Sequence, residues 1–201
     1  MSLAAFSGER PAILATHLSE TVKGHAHEIL SRQDVQKLID KVKETDKAVV
    51  DELIPGLTSV GGVQKVLQRL LKERISIRDM VTILESMADT APQTKDLNLL
   101  TEAVRQALGR SIVHQYQDGR GTLHVMTLDP GLEQILADNL ASGDWGYELS
   151  LDPNMAGKVY EAIARLVPVA LASASQPLLL CTHIVRPYLR QLIESVLPNV
   201  V

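Results

Sequence analysis

Residues 63–92, VQKVLQRLLKERISIRDMVTILESMADTAP, constrain the fold more than any other stretch, because they encode two amphipathic helices and the joint between them. Val63, Val66, Leu67, Leu70 and Leu71 recur at helical spacing with Lys65, Arg69 and Lys72 between them, so one stripe is set for burial and the rest for water. Ser76 is placed to cap the second helix, Asp79 suits its positive end, and Met80, Ile83, Leu84 and Met87 supply its buried face. Such helices need helical neighbours. From Pro11 to about Leu30, the apolar residues Leu14, Leu18, Val22, Ile29 and Leu30 roughly follow one face, with Gly24 a weak point. Val35, Leu38, Ile39 and Val42 mark another helix, and Val49, Val50 and Leu53 a short one that Pro55-Gly56 ends. Asp96 is positioned to cap a helix carrying Leu100, Val104, Ala107 and Leu108. Residues 33 to about 109 therefore read as a compact all-helical unit.

After Arg110 the periodicity changes. In residues 121–130, Leu123, Val125 and Thr127 alternate with His124, Met126 and Leu128, which suits a strand, and Asp129-Pro130 then supplies a cap and a first helical residue. Residues 145–153 repeat the pattern, ending in Asp152-Pro153. Residues 177–182, PLLLCT, are apolar throughout and predict a central strand covered on both faces. A helix carrying Leu189, Leu192, Ile193 and Val196 follows, and LPNVV begins what reads as a further strand. The fold class expected is mixed α/β and predominantly helical: an all-α subdomain, then a small α/β subdomain built from successive β-α units.

Composition narrows the function classes. Aromatic residues make up 3% of the chain and the net charge is −4, so rings for base stacking are scarce and basic residues do not dominate; a nucleic-acid role is not expected. The single cysteine, Cys181, rules out an internal disulfide framework and suits a reducing compartment. No apolar run approaches the ~20 residues of a membrane-spanning helix, and the start lacks a signal-peptide pattern.

Few residues combine into a chemical site. His25 and His27 on one continuous helix would point to nearly opposite sides, so with Glu28 they read as polar surface and not as metal ligands. Cys181 and His183 share a strand face but lack a third, orienting group, so Cys181 reads as a small hydrophobe. Asp129 and Asp152 sit where open α/β sheets place carboxylate pairs, yet each precedes Pro and a helix, and capping accounts for both. There is no glycine-rich phosphate loop. The second helix of residues 63–92 carries Asp79 where a DNA reader would make base contacts. The expectation is a protein without catalytic residues, without a bound metal and without a cofactor.

A resemblance carries the reading further. ISIRDMVTILESMADTAP (75–92) and VRQALGR (104–110) resemble the cytoplasmic C-terminal region of the FHIPEP family, in particular its flagellar type III export-gate members. The likeness extends back through ATHLSETVKGHAHEILSRQDVQKLID (15–40) and forward through MTLDPGLEQIL (126–136) and VRPYLRQLIE (185–194). It implies a part of a longer protein, with membrane spans and upstream cytoplasmic subdomains before it and one more strand after Val201. Residues 1–10 show no periodicity and read as a tether, with Met1 to Leu3 expression-derived. Residues 11–31 are a connecting helix, 32–112 a helical subdomain, and 113–201 an α/β subdomain truncated at its C-terminus. The resemblance implies a non-enzymatic flagellar protein-export component at the cytoplasmic face of the bacterial inner membrane, membrane-bound only through its N-terminal half. Its partners would be export chaperone–substrate complexes and soluble export-apparatus proteins, and the full-length protein would form a homo-oligomeric ring. Thr16 matches the threonine of the family's chaperone-docking dimple, whose other residues lie upstream of this sequence. A related injectisome export gate is the second reading, and an α/β enzyme built on Asp129 and Asp152 the third.

Overall fold

The structure is a computed structural model that describes residues 9–143, 146–173 and 176–201. The first eight residues of the expected tether, and Trp145 of the expected second strand, lie outside the described residues. The chain divides into two compact units, Met1–Leu108 and Gly109–Val201, and is mostly helical.

In the first unit the described residues form seven helices: α1 (Glu9–Gly24), α2 (Ala26–Ile29), α3 (Arg32–Thr45), α4 (Lys47–Glu52), α5 (Val60–Lys72), α6 (Met80–Thr90) and α7 (Leu97–Ala107). A π turn, Leu53–Leu57, follows α4; its residue Ile54, restricted by Pro55 to extended geometry, breaks the helical path there. The α5 stripe is buried as its spacing predicts, with Val63, Val66, Leu67 and Leu70 at 0% exposure. Ile83, Leu84 and Met87 of α6 are equally buried, and Val35, Ile39, Leu100 and Val104 complete the same core from α3 and α7. Ala107, expected on that face, is exposed.

The joint between α5 and α6 differs from the expectation. Arg74 takes a left-handed conformation at φ 58°, Ile75 N–H donates to Leu70 O at 2.9 Å and Arg74 N–H to Leu71 O at 2.9 Å, which closes α5 with a Schellman motif. Ile75 is thereby turned inward, at 4% exposure. The chain needs the next four residues to leave this turn, so α6 starts at Met80 and its cap is Asp79, whose carboxylate accepts from Thr82 N at 3.2 Å. Ser76 reaches only Arg78 N, at 3.4 Å. Two contacts that hold the unit together carry no local signal. Gln64 and Gln68 of α5 both donate to Leu30 O, at 3.0 and 3.3 Å, tying α2 to α5. Arg105 of α7 hydrogen-bonds to Glu73 at the end of α5 and lies 3.8 Å from Glu102, with side-chain exposures of 13%, 18% and 6%.

The second unit runs α8 (Gly109–Tyr116), β1 (Met126–Thr127), α9 (Pro130–Asp138), β2 (Leu140–Gly143), β3 (Gly146–Leu149), α10 (Pro153–Ser173), β4 (Leu179–Leu180) and α11 (Arg186–Ile193). β1 and β4 pair in parallel, Met126 with Leu179 and Thr127 with Leu180. Along the other edge of β4, Leu179 N–H donates to Val201 O at 2.7 Å and Val201 N–H to Pro177 O at 3.0 Å, so the last residue continues the sheet. The series of β-α units is interrupted by β2, which sequence reasoning missed and which forms an antiparallel hairpin with β3, Leu140 opposite Leu149.

The strands are shorter than predicted. A turn held by Asp118, with Gly121 at φ 77°, occupies the start of 121–130, and only Met126–Thr127 pair. Met126 is buried while Val125 is 39% exposed. β4 is not covered on both faces: Leu179 packs partly buried against the core of the unit, but Leu180, on the opposite face, is 57% exposed. α11 ends at Ile193, which leaves Val196 beyond it and 57% exposed. Met126, Leu136, Val159, Ile163, Leu189 and Val200 form the core of this unit.

Candidate partner-docking surface

α1 presents its apolar residues to solvent. Leu14, Leu18 and Val22 follow one another at four-residue intervals and are 70%, 64% and 48% exposed. Helical periodicity reports that a face is apolar; it does not say whether this chain covers it. Thr16 lies about 200° round the helix from Leu14, on the opposite side, and shares its face with Glu20 and Lys23. Glu20 pairs with Lys23 at 2.8 Å and reaches the Arg74 guanidinium at 3.8 Å. The hydrogen bond from Lys23, then its charge, hold the Glu20 carboxyl below its ordinary range, and Arg74 adds to this. One side of α1 is thus tied to the α5–α6 joint through charge, and the other is bare.

The expected connecting helix breaks at His25, between α1 and α2. That break overturns the geometry assumed for His25 and His27: both reach the same carboxylate, His25 Nδ1 at 2.9 Å from Glu28 Oε1 and His27 Nε2 at 3.6 Å. The His25 hydrogen bond and charge, with a smaller contribution from His27, lower the Glu28 carboxyl from its ordinary value. Among the described residues no three His, Cys, Asp or Glu side chains are grouped to hold a metal ion.

Asp129 accepts from Gly131 N at 2.8 Å and Leu132 N at 3.3 Å, and Asp152 accepts from Asn154 N at 2.8 Å. Both carboxylates are engaged at helix starts, as local sequence predicts. Cys181 follows β4 and packs partly buried against the core of its unit, and His183 is exposed in the turn beyond. The capping box of Ser31 and Asp34 at the start of α3 went unread, although its S-x-x-D spacing is a local signal.

Residues 5–201 match the FHIPEP family. The chain belongs to the FHIPEP family. Among curated FHIPEP relatives, it is 38% identical over 188 residues to the flagellar biosynthesis protein FlhA of Bacillus subtilis (strain 168), covering 94% of the chain and 28% of that protein. It is 39% identical over 191 residues to FlhA of Borreliella burgdorferi, covering 95% of the chain and 27% of that protein. It thus spans little more than a quarter of these relatives' length.

Solved structures show the same FHIPEP fold. The C-terminal domain of InvA superposes with TM-score 0.82 at 27% identity, over 94% of this chain and 57% of that one. Nonameric EPEC SctV-C gives TM-score 0.79 at 27% identity, over 91% and 55%. CdsV in the Chlamydia pneumoniae CdsV and CdsO complex gives 0.79 at 29%, over 94% and 56%. The family and these neighbours are flagellar-biosynthesis and secretion proteins. No helix among the described residues is long and apolar enough to cross a membrane.

Proposed function

We propose that this chain is the cytoplasmic part of a membrane-anchored flagellar type III protein export gate, docking export chaperones, substrates and soluble export components. The observation that carries the reading is the near-complete match to flagellar FlhA proteins at 38% and 39% identity. In the full-length protein the chain belongs to a homo-oligomeric ring at the inner membrane, a reading supported by the nonameric state of the similar SctV-C. Residues 11–31 act as a connecting helix, 32–112 as a helical subdomain and 113–201 as an α/β subdomain. Thr16 contributes to chaperone docking from the exposed surface of α1, together with residues upstream of this sequence. The injectisome alternative is favoured only by the solved neighbours, whereas the curated flagellar relatives are closer in sequence.

The decisive experiment replaces the matching region of Bacillus subtilis FlhA by this chain and measures swimming and filament export. Restored export is expected. A chimera that reaches the membrane at normal abundance but exports no filament subunit overturns the reading. The Thr16 assignment is tested by calorimetry of the chain with a flagellar chaperone–substrate complex. Binding weaker than micromolar is expected, because Thr16 lacks its upstream partners; submicromolar binding would place the docking surface elsewhere in the chain.

A further inference from the structure

The solvated face of α5 forms one wall of a cationic cleft. Lys65, Arg69 and Lys72 stand at i, i+4 and i+7, and α5 contains no Asp or Glu. Like charges at this spacing oppose helix formation. Arg69 and Lys72, in the last turn, are compensated by the negative end of the helix dipole; Lys65 is not, and it has no hydrogen bond or ion pair among the described residues.

Two adjoining cavities share Lys65 and Leu97. The first, of about 340 Å³, is lined by His27, Lys65, Arg69 and Lys72 together with Gln68 and Leu97. The second, of about 280 Å³, adds Arg32 and Lys95 beside Gly61 and Gly62 at the start of α5. No carboxylate lines either cavity. Of the neighbouring acidic groups, Asp96 caps α7 through Asn98 N, Asp34 bonds Ser31 and Glu73 bonds Arg105, while Glu28 bonds His25 and stands 3.6 Å from His27 Nε2.

The cationic groups are held in place. Arg69 donates to Asn98 Oδ1 at 2.5 Å and Lys95 to Leu57 O at 2.8 Å. A Cβ at residue 61 would come within 2.8 Å of the Arg32 guanidinium, so Gly61 leaves that group its position. His27 Nδ1 is buried without a hydrogen-bond partner, an unmet polar group at the cleft wall.

We propose that this cleft docks an acidic segment of a partner protein, with successive Asp or Glu side chains entering the two lobes on either side of Lys65. Two lobes sharing one lysine suit carboxylates spaced along a peptide better than a single free anion. No Phe, Tyr or Trp lines the cleft to stack a base, which separates it from the aromatic platforms of single-stranded nucleic-acid grooves. The proposal uses only residues of the first unit and does not depend on the export reading.

The test is fluorescence polarisation of the whole chain with a labelled peptide of alternating Glu and Ala, compared with a Lys and Ala peptide. The acidic peptide alone should bind. Lys65→Glu should weaken it by about tenfold or more, since like charges in an interface are strongly disfavoured, and Lys95→Glu should weaken it independently through the second lobe. Lys158→Glu, the same charge change on α10, should leave the affinity as it was. Circular dichroism checks that the variants fold; all three positions are at the surface. Three results would overturn the proposal: no binding by the unmodified chain, equal weakening by all three reversals, or displacement of the peptide by inorganic phosphate or a single-stranded oligonucleotide as effectively as by unlabelled peptide.

Discussion

The two units bury their apolar residues in different ways. In Met1–Leu108, α3, α5, α6 and α7 each give a full stripe to one core, and residues such as Val35, Val63, Leu67, Leu84 and Val104 reach 0% exposure. In Gly109–Val201, Leu136 alone among the described residues does so. There the two sheets each have two strands, and Leu166, Val169 and Leu171 on α10 stay 47%, 64% and 51% exposed. A helix makes its hydrogen bonds internally, so helical stripes can close a core by packing alone. Short strands depend on distant partners, and a two-stranded sheet covers little surface. The first unit should therefore be the more cooperative and the more sensitive to truncation of its core.

Leu70→Ala offers the largest break in that comparison. It removes a fully buried side chain from α5 and should cost about 4 kcal/mol through lost burial and the cavity left behind. Calorimetry should show a lower transition for the first unit while that of the second stays in place. If both move together, the units fold as one. Arg105→Ala should cost about 3 kcal/mol in the same transition, because it removes the cation that Glu73 and Glu102 share in a largely buried setting. A denaturation midpoint equal to that of the unmodified chain would show that the triad contributes nothing.

In the second unit Leu136→Ala should cost about 2 kcal/mol and move only the second transition, the shallower core collapsing more readily round the gap. A loss as large as that of Leu70→Ala would erase the contrast. Asp129→Ala should cost about 1 kcal/mol by freeing the Gly131 and Leu132 amides at the start of α9, again in the second transition. The smallest effect concerns Asp118, whose carboxyl is held below its ordinary range first by the Thr122 N–H, then by that of Arg120. A lowered folded value stabilises the turn at pH above the ordinary aspartate range, and the contribution fades as pH falls through the folded value. Asp118→Asn should therefore flatten the acid limb of the stability profile of the second unit. An unchanged limb would show that the turn is already open.

Local signals carried much of this fold. The buried faces of α5 and α6, and the caps at Asp96, Asp129 and Asp152, follow from spacings of a few residues, over which side chain and backbone meet without help from the rest of the chain. Where two local signals competed, packing chose. Ser76 and Asp79 are both good caps, and the start of α6 was settled by the burial of Ile75 after the Schellman turn. The strand at 177–182 shows the opposite limit, since an apolar run does not say how much of a sheet will cover it.

The chain by itself determined its helical stripes, its capping residues and its membership of the FHIPEP family, because each is written in contiguous residues and their order. Only the tertiary structure decided that Leu14, Leu18 and Val22 face solvent, that Glu28 meets both histidines, and that Glu73, Glu102 and Arg105 form one buried group. It also decided that Lys65 stands between two cationic lobes, whose basic residues outside α5 come from α2, α3 and the segment before α7. Periodicity fixes which way a side chain points from its own helix. What it meets there depends on how elements distant in sequence fold back against it.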